Sequence, residues 1–252
     1  MNYFDRQPYV VAVIGAASGI GKATAEFLAG QGVTVACIDQ HESGAKETAS
    51  AIKKAGGTAD ALAADVAHPA KLQAAIAAII ETHGQLDGLV NCAGITGKTN
   101  IKTHEVSLED FDRVYEINLK GALIASQAVL PHMLKRGYGR ILHVASIAGK
   151  EGNAGMAAYS ATKAGLIGLV KVMGKDYAET GITINALAPA VIRTPMVAAL
   201  PDAQVKYMTD KIPMKRCGEL EEAASLIAWI VSPACGFTTG FTFDLTGGRA
   251  TY

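Results

Sequence analysis

No sign of charge dominates this sequence: Lys and Arg together number 23, Asp and Glu number 23, and the formal net charge at neutral pH is +0. That balance removes the electrostatic case for nucleic acid or an anionic membrane as partner, and favours small, roughly neutral ligands. Cysteine is sparse. Cys37, Cys92, Cys217 and Cys235 form no C-x-x-C pair and no dense disulfide framework, which points to a reducing, cytoplasmic setting. No apolar run approaches the roughly 20 residues that a membrane helix needs, and the stretch MNYFDRQPYV carries no signal-peptide core. The 6 histidines make no H-E-x-x-H or other ligand spacing, so no catalytic metal is expected. Low-complexity linkers and internal repeats are also absent, and the chain reads as a single domain, 1–252.

What the sequence does have is apolar residues, 50% of the chain, enough for a large core. They fall in short runs: YVVAVIG (9–15), VTVACID (33–39), TADALAA (58–64), LDGLVN (86–91), RILHVA (140–145), ITINALA (182–188) and FTFDL (241–245). Longer segments of helical period separate them, and that alternation predicts parallel strands joined by helices in a doubly wound α/β domain. SLED at 107–110 resembles a helix-capping box with Asp in the Glu position, and Gly84 closes an apolar-periodic helix.

Directly after the first run comes GAASGIG, with Gly15, Gly19 and Gly21, and then the helical KATAEFLAG. A strand, a glycine turn and a helix N-terminus form an anion site, because free backbone N–H groups and the positive end of the helix dipole point outward together. Pyrophosphate would fit. The spacing G-x-x-x-G-x-G alone also describes a plain glycine-rich turn. Asp39 sharpens it, because an acid at the end of the second strand would meet an adenosine ribose, accept from its hydroxyls and repel a 2′-phosphate. Ala17, Gln40 and His41 offer no fixed cation for such a phosphate. NAD is therefore expected over NADP.

AYSATKAG (157–164) sets Tyr159 and Lys163 one helical turn apart, at the start of a helix expected over about 156–179, and Ser146 follows the strand RILHVA. Ligands of open parallel sheets bind at the carboxyl edge of the strands. If the turn at 147–155 folds back, Ser146 and Tyr159 could face one substrate oxygen. A phenol of pKa about 10 is a poor base at neutral pH, and lowering it by two or three units takes about 3 to 4 kcal/mol of phenolate stabilisation, which a neighbouring ammonium and a cationic nicotinamide could supply. Tyr159 would then take an alcohol proton while Ser146 orients the same oxygen. Y-x-x-x-K alone is also what an ordinary helix-face pair looks like.

The combination of glycine turn, Ser146 and Tyr159-x-x-x-Lys163 resembles the short-chain dehydrogenase/reductase family over essentially the whole chain. That resemblance implies a Rossmann-like fold with a seven-stranded parallel sheet and helices on both faces. It implies that Ser18 and Ile20 lie beside the cofactor with Gly15, Gly19 and Gly21, that Asp65 and Val66 contact adenine, and that NCAG supplies Asn91, Ala93 and Gly94, with Cys92 where Asn is usual. INLKG resembles the segment carrying a fourth catalytic residue, Asn118, in a proton relay through Lys163. PAVIRT replaces the usual P-G-x-V-x-T, giving Pro189, Ile192 and Thr194 as cofactor contacts with Ala190 in place of glycine. Residues 198–216 then read as a substrate-covering segment.

The same resemblance implies a symmetric homo-oligomer, commonly a tetramer, which the apolar helix GLIGLVKVMGKDYA would suit. Thr96, Lys150, Asn153 and Met156 are expected to border the substrate, a polar set that suits a compact hydroxylated molecule, and Lys150 and Arg249 could pair with a carboxylate. The chain looks most like members that oxidise sugars and sugar acids, including 2-keto-3-deoxy sugar acids of the rhamnonate and fuconate type. The rivals are a 3-oxoacyl-thioester reductase, which usually consumes NADPH, and a catalytically silent dinucleotide-binding protein.

Overall fold

A computed structural model of the chain describes Tyr3, Phe4 and residues 8–252. The apolar runs become strands β1 (Val10–Ile14), β2 (Thr34–Asp39), β3 (Ala59–Ala63), β4 (Gly88–Asn91), β5 (Gly139–Val144), β6 (Ile182–Pro189) and β7 (Thr242–Leu245). They form one sheet in the order β3-β2-β1-β4-β5-β6-β7, every neighbouring pair parallel. The helices are α1 (Gly19–Gly30), α2 (Glu42–Lys54), α3 (Pro69–His83), α4 (Leu108–Tyr115), α5 (Gly121–Arg136), α6 (Ala148–Glu151), α7 (Ala157–Asp176), α8 (Pro195–Ala198), α9 (Asp202–Asp210) and α10 (Leu220–Ile230). The result is a single Rossmann-like domain.

Strands β1, β4, β5 and β6 are buried from end to end because both faces are covered, while the edge strands β3 and β7 are only partly buried. Val10, Ala12 and Ile14 pack with Leu89 and Ile141 beneath Leu72 and Ile76 of α3, Ala125 and Val129 of α5, and Leu166 and Val170 of α7. Val11 and Val13 turn the other way, with Val35, Val90 and Leu142, toward Leu28 of α1, Ile52 of α2 and Ile227 of α10. Strand order reverses between β1 and β4, so the chain leaves these two neighbours toward opposite layers and opens a crevice at their carboxyl ends. Gly15 and Asn91 stand at its lips.

Local punctuation explains the ends. Gly84 terminates α3 with φ 71°, as its position after the apolar repeat predicts. Ser107 caps α4 by accepting from the Asp110 N–H at 3.2 Å. The reciprocal half of the expected capping box is not made, because the Asp110 carboxylate instead accepts from the Lys98 N–H at 2.9 Å and ties down the loop after β4. Between α4 and α5, residues Glu116–Lys120 form a single wide π-helical turn. Among the described residues no helix is long and apolar enough to cross a membrane, and no group of His, Cys, Asp and Glu could hold a metal ion.

Candidate active site

The glycine turn is held rigidly at the crevice. The Gly15 and Ala16 N–H groups donate to the Ile38 carbonyl at 2.9 and 3.2 Å, and the Thr48 hydroxyl donates to the Ala16 carbonyl at 2.8 Å. Gly15 adopts φ 82°, and a Cβ on Gly21 would lie 2.1 Å from the Gly15 carbonyl oxygen. Any side chain at 21 would push α1 off the turn, so glycine here is a requirement of close approach. Ser18 starts α1 with its hydroxyl exposed and making no capping bond, Ile20 is half-buried, and the first turn of α1 carries no acid. Asp39, buried at the end of β2, accepts from the Ala17 N–H at 3.0 Å through one oxygen and from the His41 N–H at 2.9 Å through the other.

A turn closed by glycines, a helix N-terminus free of acids and an acid at the neighbouring strand end together fit a dinucleotide. The remaining residues expected to line it are distributed along the same edge. Asp65 turns its carboxylate to the Ala67 N–H at 2.9 Å, and Val66 is buried against the bare backbone of Gly121. Asn91 accepts from the Ala93 N–H at 3.1 Å, shaping the turn that carries Gly94 out of β4. Pro189 ends β6, and its carbonyl accepts from Ile147 at 3.0 Å. Ile192 is buried, while Thr194 caps α8 by accepting from Val197 at 3.3 Å and brings its methyl within 3.5 Å of where a Gly19 Cβ would sit. The β6 loop thus faces the glycine turn.

Ser146, Tyr159, Lys163 and Asn118 meet at this edge. The 147–155 turn folds back, the condition for Ser146 and Tyr159 to face one oxygen: a Cβ on Gly149 would lie 2.6 Å from the Lys163 carbonyl carbon, so α6 crosses α7 backbone to backbone. Ser146 accepts from the Ala148 N–H at 3.1 Å and hydrogen-bonds the Tyr159 hydroxyl. The Lys163 ammonium is buried, donates to the Val144 carbonyl at 2.6 Å and stands 5.7 Å from the centre of the Tyr159 ring. Asn118, in the π-turn, brackets Ile95: its Nδ2 donates to the Ile95 carbonyl at 2.8 Å and its Oδ1 accepts from the Ile95 N–H at 2.8 Å. Gly94 lies between them, the position of its missing Cβ being 3.2 Å from the Asn118 Oδ1 and 3.3 Å from the Lys163 Nζ.

The electrostatics differ from the sequence expectation in one respect. Burial pushes the Tyr159 phenol above its ordinary value, opposed by the Ser146 hydrogen bond. Burial also pulls Lys163 down to about 8, countered by the neighbouring Cys92. In the protein alone, desolvation therefore outweighs the ammonium as the influence on the phenol. The further stabilisation of a phenolate is left to a cationic ligand.

Of the residues expected around the substrate, Thr96 is exposed and donates to the Gly97 carbonyl at 3.2 Å, and Asn153 and Met156 lie side by side at the start of α7. Lys150 is not a free cation. Its ammonium donates to both carboxylate oxygens of Asp244 at 2.9 Å and to the Tyr252 backbone oxygen. Arg249 is likewise committed, to Glu151 at 2.9 and 2.6 Å and to Asn153 at 3.3 Å. The tail 249–252 folds onto the chain's own 148–153 turn, and Lys150 of the turn and Arg249 of the tail both meet internal acids. Sequence reasoning missed Thr162, whose hydroxyl accepts from Asn118 at 3.3 Å and donates to the Tyr159 carbonyl at 3.0 Å. It also missed the Val144 carbonyl; a backbone acceptor leaves no trace in residue type.

A doubly wound parallel sheet with a glycine turn at its switch point and a Ser, Tyr and Lys grouped at the same edge defines a nucleotide-dependent oxidoreductase. The chain belongs to the short-chain dehydrogenase/reductase family, and residues 15–249 match the family model described as enoyl-(acyl carrier protein) reductase. It is 42% identical over 95% of its length, and 94% of the relative's, to 2-dehydro-3-deoxy-L-rhamnonate dehydrogenase (NAD(+)) of Sphingomonas sp. (strain SKA58). It is 39% identical, over 95% of its length and 96% of the relative's, to a 3-oxoacyl-(acyl-carrier-protein) reductase of Vibrio cholerae. A crystallised variant of actinorhodin polyketide ketoreductase with NADPH superposes with a TM-score of 0.92 at 33% identity, covering 97% of this chain and 98% of that one. Relatives of this kind act on CH–OH groups and their carbonyl counterparts, and the chain is an oxidoreductase of that kind.

Proposed function

We infer that residues 1–252 form one catalytic domain that uses NAD to oxidise a secondary hydroxyl of a small polar substrate. The observation that carries this reading is the convergence of Ser146, Tyr159 and Lys163 at the sheet edge that also bears the glycine turn. Gly15, Ser18, Gly19, Ile20 and Gly21 would hold the pyrophosphate, Asp39 the adenosine ribose, and Asp65 and Val66 the adenine. Asn91, Ala93, Gly94, Tyr159 and Lys163 would line the nicotinamide ribose, with Pro189, Ile192 and Thr194 beside the carboxamide. When bound, the nicotinamide supplies the hydride acceptor and a positive charge.

The chain's own groups handle the proton. Ser146 donates a hydrogen bond to the substrate oxygen and holds it against Tyr159. The Tyr159 oxygen takes the hydroxyl proton as hydride departs, and Lys163 stabilises the resulting charge distribution from one turn below. Asn118, fixed on Ile95, orders the polar path by which that proton leaves past Lys163. Thr96, Asn153 and Met156 border the substrate, and Lys150 acts by holding the 148–153 turn through Asp244.

Identity to the rhamnonate-type relative favours a 2-keto-3-deoxy-L-sugar acid as substrate. The second reading, a 3-oxoacyl-thioester reductase, is favoured by the Vibrio cholerae relative and the NADPH-bound structural neighbour. A steady-state screen with NAD and NADP against 2-keto-3-deoxy sugar acids, polyols, secondary alcohols and 3-hydroxyacyl thioesters separates them. The sugar acid of the rhamnonate or fuconate type should be turned over far faster than neutral alcohols. Equal or better activity on hydroxyacyl thioesters, with no turnover of any sugar acid, sinks the first reading, and no redox activity at all returns the chain to a silent nucleotide binder.

The exposed apolar side chains Tyr115, Leu123, Leu134 and Val172 on the α4 to α7 side support a homotetramer, and four unpaired thiols support a cytoplasmic setting. Light scattering at micromolar concentration should give four times the chain mass of 26.1 kDa. A monomer removes the oligomer proposal.

A further inference from the structure

Asn91 on β4 and His143 on β5 are register partners, both buried, on the sheet face covered by α5. Their neighbours in the same row, Ile14 on β1 and Ala186 on β6, are apolar. Two polar side chains in such a row cost stability unless their hydrogen-bonding atoms are matched. Here the matching runs in one direction. The Ser126 hydroxyl of α5 reaches the Ala122 carbonyl at 3.0 Å, so a fully matched set has the His143 Nε2–H, 2.9 Å away, donating to the Ser126 oxygen. That leaves His143 Nδ1 as acceptor for the Asn91 Nδ2 at 3.3 Å, and Asn91 Oδ1 as acceptor for the Ala93 N–H at 3.1 Å. Burial and the Lys163 ammonium push the imidazolium down to about 3, so the ring is neutral.

The consequence lies in the turn Cys92–Gly94. The missing Cβ of Gly15 would sit 3.0 Å from the Ala93 nitrogen, and that of Gly94 3.2 Å from Asn118 Oδ1 and 3.3 Å from Lys163 Nζ. The turn is clamped between the glycine loop and the Lys163 ammonium with no slack. An Asn91 amide turned the other way would present its NH₂ to the Ala93 N–H, donor against donor, and force the turn outward.

We propose that His143 is a positioning residue: by accepting from Asn91 it fixes the orientation of that amide, and thereby the path of Cys92–Gly94 between the nucleotide turn and Lys163. The affinity readout rests on the NAD-dependent reading above; the spectroscopic one does not. In the wild-type protein, ¹⁵N NMR of the His143 ring should show a neutral imidazole protonated on Nε2. A ring protonated on Nδ1 overturns the proposal.

Two amide variants then separate the ring's two contacts. His143→Asn keeps an acceptor near the Nδ1 position and loses the reach to Ser126, whereas His143→Gln keeps that reach and loses the acceptor. Titration with NAD, followed by calorimetry, should leave the dissociation constant of His143→Asn within about threefold of wild type. That of His143→Gln should rise by about tenfold, since Asn91 is left with an unmatched buried donor. Thermal midpoints of the two variants should fall together, because each loses one buried hydrogen bond. Equal NAD affinities for the two variants, or affinities that track the midpoints, overturn the proposal. Failure of wild type to bind NAD overturns the nucleotide reading instead, and if both variants fail to fold, the ring tautomer decides.

Discussion

Tyr159→Phe should retain NAD binding and lose about a thousandfold in kcat, within the range that removal of a positioned general base produces. The ring remains to pack beside Lys163, 5.7 Å from the ammonium, and only the oxygen that Ser146 hydrogen-bonds is deleted. Ser146→Ala should be severe as well, since it removes both the grip on the substrate oxygen and the hydrogen bond that opposes burial at the phenol. The pH profile carries the sign. Burial raises the phenol, so below its apparent pKa the base is protonated and oxidation is slow; log kcat/KM should climb as pH rises through the value of the coupled Tyr159 and Lys163 pair. Lys163→Met should move that limb to higher pH, because the phenolate loses its cation. Steady-state kinetics from pH 5 to about 10 checks both, and near wild-type kcat in Tyr159→Phe would remove the mechanism.

The second large effect is on cofactor choice. Wild type should give the larger kcat/KM with NAD, because a 2′-phosphate would be driven against the Asp39 carboxylate at the end of β2. Asp39→Ala combined with Gln40→Arg exchanges that anion for a cation. The ratio of kcat/KM for NAD over NADP should fall by on the order of a hundredfold, roughly 2.7 kcal/mol of changed discrimination. The absolute NAD value should fall too, because Asp39 also accepts from Ala17 and His41, and its loss loosens the glycine turn itself. The ratio is therefore the quantity to measure. A wild-type preference for NADP would overturn the argument.

The centre of the sheet was legible because its strands are buried on both faces: a run such as Val10–Ile14 has no polar alternative and nowhere else to go. The glycine turn and the Tyr159 and Lys163 pair were legible because they are local in sequence, set by strand end and helical pitch. Three things were not. The fate of Lys150 and Arg249 depends on Asp244 and Glu151, acids far away in the chain or on another element, and no spacing rule links them. The upward push on the Tyr159 phenol comes from burial, which only the assembled 147–155 turn creates. His143 reads in sequence as one more core side chain on a strand, and its polar partners Asn91 and Ser126 come from two other elements.

The wide turn at Glu116–Lys120 makes this helix sensitive to length rather than to residue type. A π-helical turn holds one more residue than an α-helical one, so deleting a single residue there would restore ordinary pitch and leave α4 and α5 as one regular rod, hydrogen-bonded throughout. The wide turn already takes up the extra residue, so the flanking stretches of α4 and α5 would keep nearly the same phase, and the residues inside the turn would change the direction they face. The Asn118 amide would swing off Ile95 while the rod itself stayed intact. Such a variant would still show a folded, helical protein by circular dichroism and yet have lost the Asn118 grip on Ile95, a lesion that a screen of point substitutions would never sample.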